Sequence, residues 1–145
     1  MSNNFGRPIL ENQQFNHILL WMPNWIGDVV LVIPSIQALR KRYPEARITA
    51  VTRLPASELL SHLSFVDSVI HISFSKEDSF LDQMYFARRL GKYGFDLALV
   101  FPNSWRSAFM VYLSGTKHRL GYATEKRGMF LTHPQRATPE SKTKY

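Results

Sequence analysis

Residues Ile18 to Pro34 read ILLWMPNWIGDVVLVIP. A short apolar run, Ile18 to Met22, stops at Pro23, and a second apolar run begins directly after Gly27 and Asp28. The first run has the length of a buried strand, whereas the second continues at helical spacing. The segment therefore predicts a strand, a tight turn and a helix, with a carboxylate at the start of the helix.

The alternation of strand and helix patterns continues along the chain. Strands are predicted at 17–22, 47–52, 68–73, 95–101 and 119–123, and helices at 26–43, 55–63, 80–90 and 105–113. Strands that alternate with helices at this interval are typical of βαβ units. The sequence therefore predicts an α/β fold with a mostly parallel sheet.

The first predicted helix should present one buried stripe to the sheet. Its apolar residues recur close to i, i+3 and i+4 spacing, which predicts burial of Val29, Val30, Ile33, Ile36, Leu39 and Tyr43. Pro34 lies inside this helix and cannot donate a hydrogen bond to the carbonyl of Val30. We therefore expect a kink at Pro34 or an irregular first turn.

The 145 residues are enough for one domain with a core of ordinary size. We expect a flexible leader over 1–15, one domain over 16–131 and a polar, disordered tail over 132–145. The longest apolar region, Ile18 to Ile36, is interrupted by Pro, Asn, Gly and Asp and is no membrane span. The first 16 residues lack the apolar stretch of a signal peptide, which predicts a cytoplasmic chain. Zero cysteines exclude disulfides, thiolate zinc sites and cysteine catalysis.

The formal charge of +7 is concentrated at the C-terminal end of the chain. From Lys117 onward, seven Lys or Arg residues stand against two Glu residues. A basic balance of this kind favours anionic partners, such as nucleic acid, an acidic membrane surface or phosphorylated substrates. A solvated basic tail explains the same charge equally well.

Polar residues follow several of the predicted strands and should meet at one edge of the sheet. These residues are Asn24 to Asp28, Arg53, Ser75-Lys76, Asn103 to Arg106 and a further segment, Tyr122 to Arg127. Asp28 has two readings: a carboxylate that stabilises the helix by roughly 0.3–1 kcal/mol through its dipole, or a general base. Gly27 allows a ligand to approach the backbone closely, or serves turn geometry alone. The residues by themselves leave both alternatives open.

Several common site motifs are absent. No G-x-G-x-x-G motif follows the first strand and no Walker loop is present, so neither a dinucleotide-dependent dehydrogenase nor a P-loop hydrolase is supported. The five histidines include no i, i+4 pair, so no metal site is predicted. Trp25 and Trp105 follow the first and fourth strands, and we expect both to be buried, with sugar stacking as the alternative.

Three stretches together resemble glycosyltransferase family 9, the ADP-heptose:lipopolysaccharide heptosyltransferases. They are MPNWIGDVVLVIPSIQALRKRYP at 22–44, FDLALVFPNSWRSA at 95–108 and KHRLGYATEKRG at 117–128. The first contains the family's Gly-Asp pair, here Gly27-Asp28, and the third is similar to its R-I-G-Y segment. The resemblance covers residues 16–132 and is strongest to the heptosyltransferase II branch of lipopolysaccharide inner-core synthesis.

This resemblance implies a Rossmann-like domain that forms the N-terminal, acceptor-binding half of a GT-B glycosyltransferase. Such an enzyme transfers heptose from ADP-heptose, with inversion, to a phosphorylated lipid-linked oligosaccharide, and needs neither a metal nor a further cofactor. By matching position, Asp28 would be the catalytic base. The acceptor-binding residues would be Asn24, Trp25, Gly27, Arg53, Asn103 and Arg106.

Members of the family are more than twice as long, and the donor-binding half has no counterpart in these 145 residues. We therefore expect a truncated N-terminal half that is inactive alone, or one that works with a separately encoded donor domain. The resemblance further implies a cytoplasmic location, with peripheral contact at the inner membrane, and no nucleic-acid partner. The alternative is a non-catalytic, basic Rossmann-like module that binds an anionic lipid or nucleic acid.

Overall fold

A computed structural model describes residues 13–72, 78–122 and 127–135. Its strands are β1 (His17–Trp21), β2 (Arg47–Thr52), β3 (Ser68–His71), β4 (Leu97–Val100), β5 (His118–Tyr122) and β6 (His133–Gln135). Its helices are α1 (Ile26–Arg42), α2 (Ala56–Ser61), α3 (Phe80–Arg89) and α4 (Trp105–Leu113), with 3-10 turns at Leu90–Tyr93 and Arg127–Phe130.

The six strands form one sheet in the order β3-β2-β1-β4-β5-β6, and every neighbouring pair is parallel. This is the strand order of a doubly wound Rossmann-like sheet. The prediction of a Rossmann-like, mostly parallel α/β fold is therefore confirmed. The strand order reverses between β1 and β4, and ligands in such sheets bind beyond the carboxyl ends of the strands at that point.

The central strand β1 contributes side chains to two cores, one on each face of the sheet. Ile18, Leu20 and Met22 are buried against α1 and α2, whereas Leu19 and Trp21 are buried against α3 and α4. Successive strand residues point to opposite faces, so a strand covered on both sides must be apolar throughout. This requirement explains the uninterrupted apolar run that marks the strand in the sequence.

The stripe predicted for α1 is partly wrong. Val30 is 49% exposed, and Val32 is buried in its place. Successive residues are rotated by about 100° around a helix axis, so the buried line through Val29, Val32 and Ile36 excludes Val30. The helix is continuous from Ile26 to Arg42, with Pro34 on its exposed side.

Both ends of the folded region extend beyond the predicted domain limits. Phe15, placed in the leader by the sequence, is buried and packs edge to face against Tyr43 with a ring-centroid distance of 5.4 Å. His133–Gln135, placed in the tail, form the edge strand β6 in register with β5. A three-residue strand that contains Pro134 has no periodicity to detect, and an edge strand tolerates a proline. Residues 1–12 and 136–145 lie outside the described residues.

Candidate functional site

A groove of about 560 Å³ opens beyond the carboxyl ends of the central strands. Its walls come from the loops after β1, β2, β3 and β4 and from the facing sides of α3 and α4. The lining residues are Trp21, Asn24, Trp25, Arg53, Ile72, Gln83, Pro102, Ser104, Arg106, Ser107 and Met110. The groove therefore lies where the strand order of a Rossmann-like sheet predicts a ligand site, and its volume is typical of such sites.

The groove combines positive charge with aromatic surface. Two arginines, Arg53 and Arg106, and the exposed Trp25 line it, Trp21 contributes only the edge of a buried ring, and none of its lining residues among those described is Asp or Glu. Arginine presents a planar fork of donors that matches a phosphate or a carboxylate. An indole offers an apolar face with a polar N–H at its edge. This set of side chains suits an anionic ligand that also carries a ring with an apolar face.

The side chain of Arg106 is held by two neighbours on α3. Its Nη1 donates a hydrogen bond to Oε1 of Gln83 at 3.2 Å, and its guanidinium lies 4.9 Å from the ring centroid of Phe80. Gln83 is buried, and its Nε2 donates to the carbonyl of Asp78 at 3.5 Å. The Gln83 amide, itself hydrogen-bonded to the Asp78 carbonyl, holds the Arg106 guanidinium beside the groove. Because this side chain is already ordered, less conformational entropy is lost when a ligand binds.

The two tryptophans that were expected to be buried are exposed. Trp25 is 72% and Trp105 is 43% exposed. Trp25 is the extended residue that precedes α1, with φ −104° and ψ 139°, and Trp105 is the first residue of α4. Each indole therefore lies at a helix start, outside the buried line of its helix. The expectation of burial is wrong for both, and Trp25 offers its indole to the groove.

Asp28 is the third residue of α1 and is half-buried. Its carboxylate makes no hydrogen bond or ion pair with any described residue, and no side chain caps the helix. The backbone starts the helix without it, since the N–H of Val29 donates to the carbonyl of Trp25 at 3.0 Å. A negative charge in this first turn is favourable to the helix dipole, but the carboxylate remains available for other contacts.

Gly27 is not required by the local structure. A Cβ added there would meet nothing within 4 Å, and the residue has no left-handed φ. Glycine inside a helix costs about 1 kcal/mol relative to alanine. Neither backbone conformation nor contact with the described residues requires this glycine, and its missing side chain leaves open space next to Asp28.

The structure brings together four of the seven residues predicted for the site. Asn24, Trp25, Arg53 and Arg106 line the groove. The other three, Gly27, Asp28 and Asn103, lie in the same strand-to-helix segments but are not among the lining residues. Ser75, Lys76 and residues 123–126 of the predicted edge lie outside the described residues.

The sequence reasoning missed Gln83. In α3 this residue shares the buried side with Ala87, four positions later. A lone polar residue on the apolar side of an amphipathic helix is a detectable signal, because a buried amide needs a hydrogen-bond partner. Its partner, Arg106, is 23 residues away in the sequence, so the pair itself could not be found without the tertiary structure.

Two kinds of feature are absent from the described part of the chain. Among residues 13–72, 78–122 and 127–135, no three His, Asp or Glu side chains come together as metal ligands. Within the same ranges, no helix has both the length and the apolar character needed to span a bilayer.

Comparisons with known proteins agree with the fold. The chain is 30% identical over 110 residues to lipooligosaccharide heptosyltransferase 2 of Haemophilus ducreyi, and 30% identical over 114 residues to lipopolysaccharide heptosyltransferase 2 of Escherichia coli. Each match covers 76% of this chain and 32% of the relative. The chain thus spans about a third of the length of the curated relatives it matches.

Solved structures show the same relation. The structure of Escherichia coli ADP-heptose lipopolysaccharide heptosyltransferase II matches with a TM-score of 0.76 and 27% identity, over 86% of this chain and 36% of that one. A family 9 glycosyltransferase from Veillonella parvula matches with a TM-score of 0.75 at 20% identity, over 87% of this chain and 37% of that one. The second likeness shows the fold alone.

The family profile for glycosyltransferase family 9 (heptosyltransferase) matches residues 84–144, a region that includes β4, α4 and β5. The profile, the curated relatives and the solved structures all name the family that the three sequence stretches resemble. The chain belongs to glycosyltransferase family 9, the heptosyltransferase family.

Proposed function

We propose that this chain is the acceptor-binding part of a heptosyltransferase of lipopolysaccharide core synthesis. The observation that carries the proposal is the groove, which combines two arginines with the exposed Trp25 and has no carboxylate among its described lining residues. Its curated relatives are heptosyltransferases of lipopolysaccharide or lipooligosaccharide. A phosphorylated, lipid-linked oligosaccharide carries both the negative charge and the sugar rings that these side chains suit.

Within the groove, Arg53 and Arg106 would bind acidic groups of the acceptor, and Trp25 would stack on a sugar ring. Arg106 is held in advance by Gln83, which supports a role in recognition rather than in generic charge. Asn24 lines the same wall and can donate and accept hydrogen bonds with sugar hydroxyls. Asn103 would contribute from the neighbouring loop after β4.

Asp28 would act as the general base. Its carboxylate would accept the proton of the acceptor hydroxyl while that oxygen forms a bond to the anomeric carbon of heptose. The bond from the anomeric carbon to the diphosphate breaks, and ADP leaves with the electron pair, so the configuration inverts. The absence of a hydrogen-bond partner among the described residues and the open space at Gly27 support this role, because a base must be reachable by its substrate.

The nucleotide sugar would be held by a second, donor-binding domain, as the GT-B architecture implies. The described residues form one Rossmann-like domain, and the matched relatives are about three times as long as the matched region. We propose that the 145-residue chain transfers no heptose by itself and that a donor-binding domain completes the site. We also propose a cytoplasmic location for the reaction.

Acceptor binding is testable on the 145-residue chain. We expect calorimetry to detect binding of an inner-core acceptor in detergent micelles, and a dephosphorylated acceptor to bind at least ~10-fold more weakly. Arg106→Gln should weaken binding by about 1.5–3 kcal/mol, the range for a hydrogen bond to a charged group. Gln83→Met keeps the buried volume but removes the partner of Arg106, and should cost about 1 kcal/mol.

Lys41→Gln is the matched control, since Lys41 is an exposed cation at the far end of α1. Equal losses in Lys41→Gln and Arg106→Gln would show that net charge, and not the groove, binds the acceptor. Binding of nucleic acid with the affinity of the acceptor would favour the non-catalytic module instead.

Transfer is tested by adding ADP-heptose and the acceptor to the purified chain, alone and with a co-expressed donor-binding half of a family member. We expect heptose transfer only in the second mixture. Turnover by the chain alone would contradict the need for a second domain. No turnover in either mixture, with acceptor binding intact, would limit the function to binding.

A further inference from the structure

The outward side of α4 is aromatic. Trp105, Phe109 and Tyr112 recur at i, i+4 and i+7 and therefore share one side of the helix. Trp105 is 43% and Tyr112 is 47% exposed, whereas Ser107 and Ala108 are buried on the opposite side. The solvent side of a surface helix normally carries polar or charged residues. Here three rings take that place.

The 3-10 turn that follows β5 extends the same surface. The ring of Phe130 lies 6.3 Å from Trp105, 5.2 Å from Phe109 and 5.6 Å from Tyr112, measured between centroids. Its neighbour Met129 is 77% exposed. Four of these side chains form a cluster of rings, and together with the adjacent exposed Met129 they are here named the aromatic face: Trp105, Phe109, Tyr112, Met129 and Phe130.

The aromatic face is bordered by cations. The Arg119 guanidinium lies 5.2 Å from the ring centroid of Tyr112, and that of Arg106 lies 4.9 Å from the ring centroid of Phe80, which stacks on Phe109. Lys117 is exposed in the turn before β5. The described residues at 97–122 and 127–135 include no Asp or Glu. The described part of the face therefore presents rings, a thioether and positive charge, while Asp78 and Asp82 flank Phe80 in the sequence.

We propose that the aromatic face is a docking surface for a bilayer that contains anionic lipids. Trp and Tyr side chains settle at the boundary between headgroups and acyl chains, and Lys or Arg residues beside them are attracted to acidic headgroups. A second copy of the chain fits less well, because a two-fold contact would bring the same cations of both copies together. This inference goes beyond the proposed function and does not depend on it, since lipid binding needs no acceptor.

Helix α4 contributes residues to both the groove and the aromatic face, on different sides of the helix. Arg106, Ser107 and Met110 line the groove, and Trp105, Phe109 and Tyr112 belong to the aromatic face. A helix that contacts the bilayer on one side and the groove on the other would keep the groove close to the headgroups. A lipid-anchored ligand could then reach the groove without leaving the membrane.

Vesicle flotation of the 145-residue chain tests this surface. The vesicles contain phosphatidylethanolamine and phosphatidylglycerol, and a second set contains phosphatidylcholine alone; neither contains an acceptor. We expect binding to the anionic vesicles, weaker binding at high salt, and a blue shift of tryptophan fluorescence. The double variant Tyr112→Ser/Met129→Ser should lower the partition coefficient at least ~10-fold, because it removes two exposed apolar side chains from the contact.

Leu31→Ser is the matched control, since Leu31 is an exposed apolar residue on α1, across the sheet from the aromatic face. Circular dichroism of each variant checks that it is folded. Lys117→Gln should reduce binding to the anionic vesicles and leave the weak binding to phosphatidylcholine unchanged. The proposal is overturned if the wild-type chain does not float, if Leu31→Ser loses as much binding as the double variant, or if sedimentation shows a dimer that the double variant abolishes.

Discussion

At the edge of the sheet where the strands begin, carboxylates bind the backbone, whereas Asp28 at the opposite edge has no described partner. Asp96 accepts hydrogen bonds from the backbone N–H groups of Asn16 at 2.8 Å and His17 at 3.0 Å. Asp67 accepts from the N–H of Ile48 at 2.7 Å. These carboxylates join the chain segments that enter the central strands, so their role is structural.

Arg40 completes the network at this edge. It pairs with Asp67 at 2.6 Å and donates to the carbonyl of Ala46 at 2.7 Å. Burial acts to raise the pKa of Asp67, but the hydrogen bonds from Ile48 and Arg40 outweigh it and hold that pKa below its ordinary value. Cation and carboxylate at this edge are thus both engaged within the fold.

At the opposite edge, where the strands end (the carboxyl edge), the carboxylate is not engaged by the fold. Its carboxylate, Asp28, contributes no hydrogen bond to the described fold, its glycine, Gly27, is not needed for conformation, and its indole, Trp25, is largely exposed. Side chains that cost stability or leave apolar surface in water are retained where a ligand binds. The comparison teaches that the same residue type, a carboxylate, is engaged by the fold at one edge and left available at the other.

The largest expected effect is a loss of heptose transfer on substitution of Asp28, at the carboxyl edge. Asp28→Asn should lower heptose transfer by roughly 10²–10⁴-fold in the mixture with the donor-binding half, because an amide cannot accept the proton. Its free energy of unfolding, measured by urea denaturation, should change by no more than about 1 kcal/mol. Transfer at the wild-type rate would remove Asp28 from the mechanism.

The next largest effect is on the free energy of unfolding, which we expect to depend on the carboxylate where the strands begin and not on Asp28. Asp96→Ala removes the acceptor of two backbone N–H groups and should lower the free energy of unfolding by about 2–4 kcal/mol. The same change at the other edge, Asp28→Ala, should cost less than about 1 kcal/mol. Similar urea midpoints for the two variants would contradict the contrast between the edges.

A pair of histidines makes the amino edge sensitive to pH. His118 Nδ1 and His133 Nε2 lie 3.2 Å apart, so one ring donates and the other accepts. Burial, followed by the charge of Lys117 for His118 and of the neighbouring histidine for His133, lowers the pKa of both rings. As the pH falls through 6.5, the unfolded chain binds protons first, and stability should fall by up to ~1.4 kcal/mol per pH unit for each proton.

Urea denaturation between pH 7.5 and 5.5 measures this slope. The double variant His118→Gln/His133→Gln should flatten it, whereas His71→Gln, at an exposed position on β3, serves as the control. An unchanged slope in the double variant would show that other groups cause the pH dependence.

The smallest effect concerns two glycines. Gly27→Ala should stabilise the chain by about 0.5–1 kcal/mol, because alanine favours a helix and the added Cβ meets no neighbour. It should also reduce acceptor affinity or transfer, since the Cβ narrows the space next to Asp28. Gly94→Ala is the opposite control: Gly94 has φ +69° and its substitution should be destabilising. A stabilised Gly27→Ala variant with full transfer would assign no role to that open space.

The sequence predicted the candidate site to the level of the loops that build it. The rule that the carboxyl ends of parallel strands meet at one edge predicts a shared location for the residues that follow the strands. Four of them line the groove: Asn24, Trp25, Arg53 and Arg106. Gln83 was missed, because its role depends on contact with a guanidinium on another helix. The exposure of Trp25 was also missed, since periodicity does not describe a residue that precedes a helix.

By itself, the sequence determined β1 to β5, the four helices and their alternation. Apolar runs and helical spacing are local properties, and they follow from the need to bury one or both faces of each element. The resemblance to the family was also recognisable from the sequence alone, since the three matching stretches are found without coordinates.

Only the tertiary structure decided which elements meet. It gave the strand order, the edge strand β6, the burial of Phe15, the histidine pair and the hold of Gln83 on Arg106. Each of these depends on contacts between segments that are distant in the chain. The physical reason is that a short polar strand or a buried amide becomes stable only through its partner. The sequence around the strand or the amide does not indicate which distant residue that partner is.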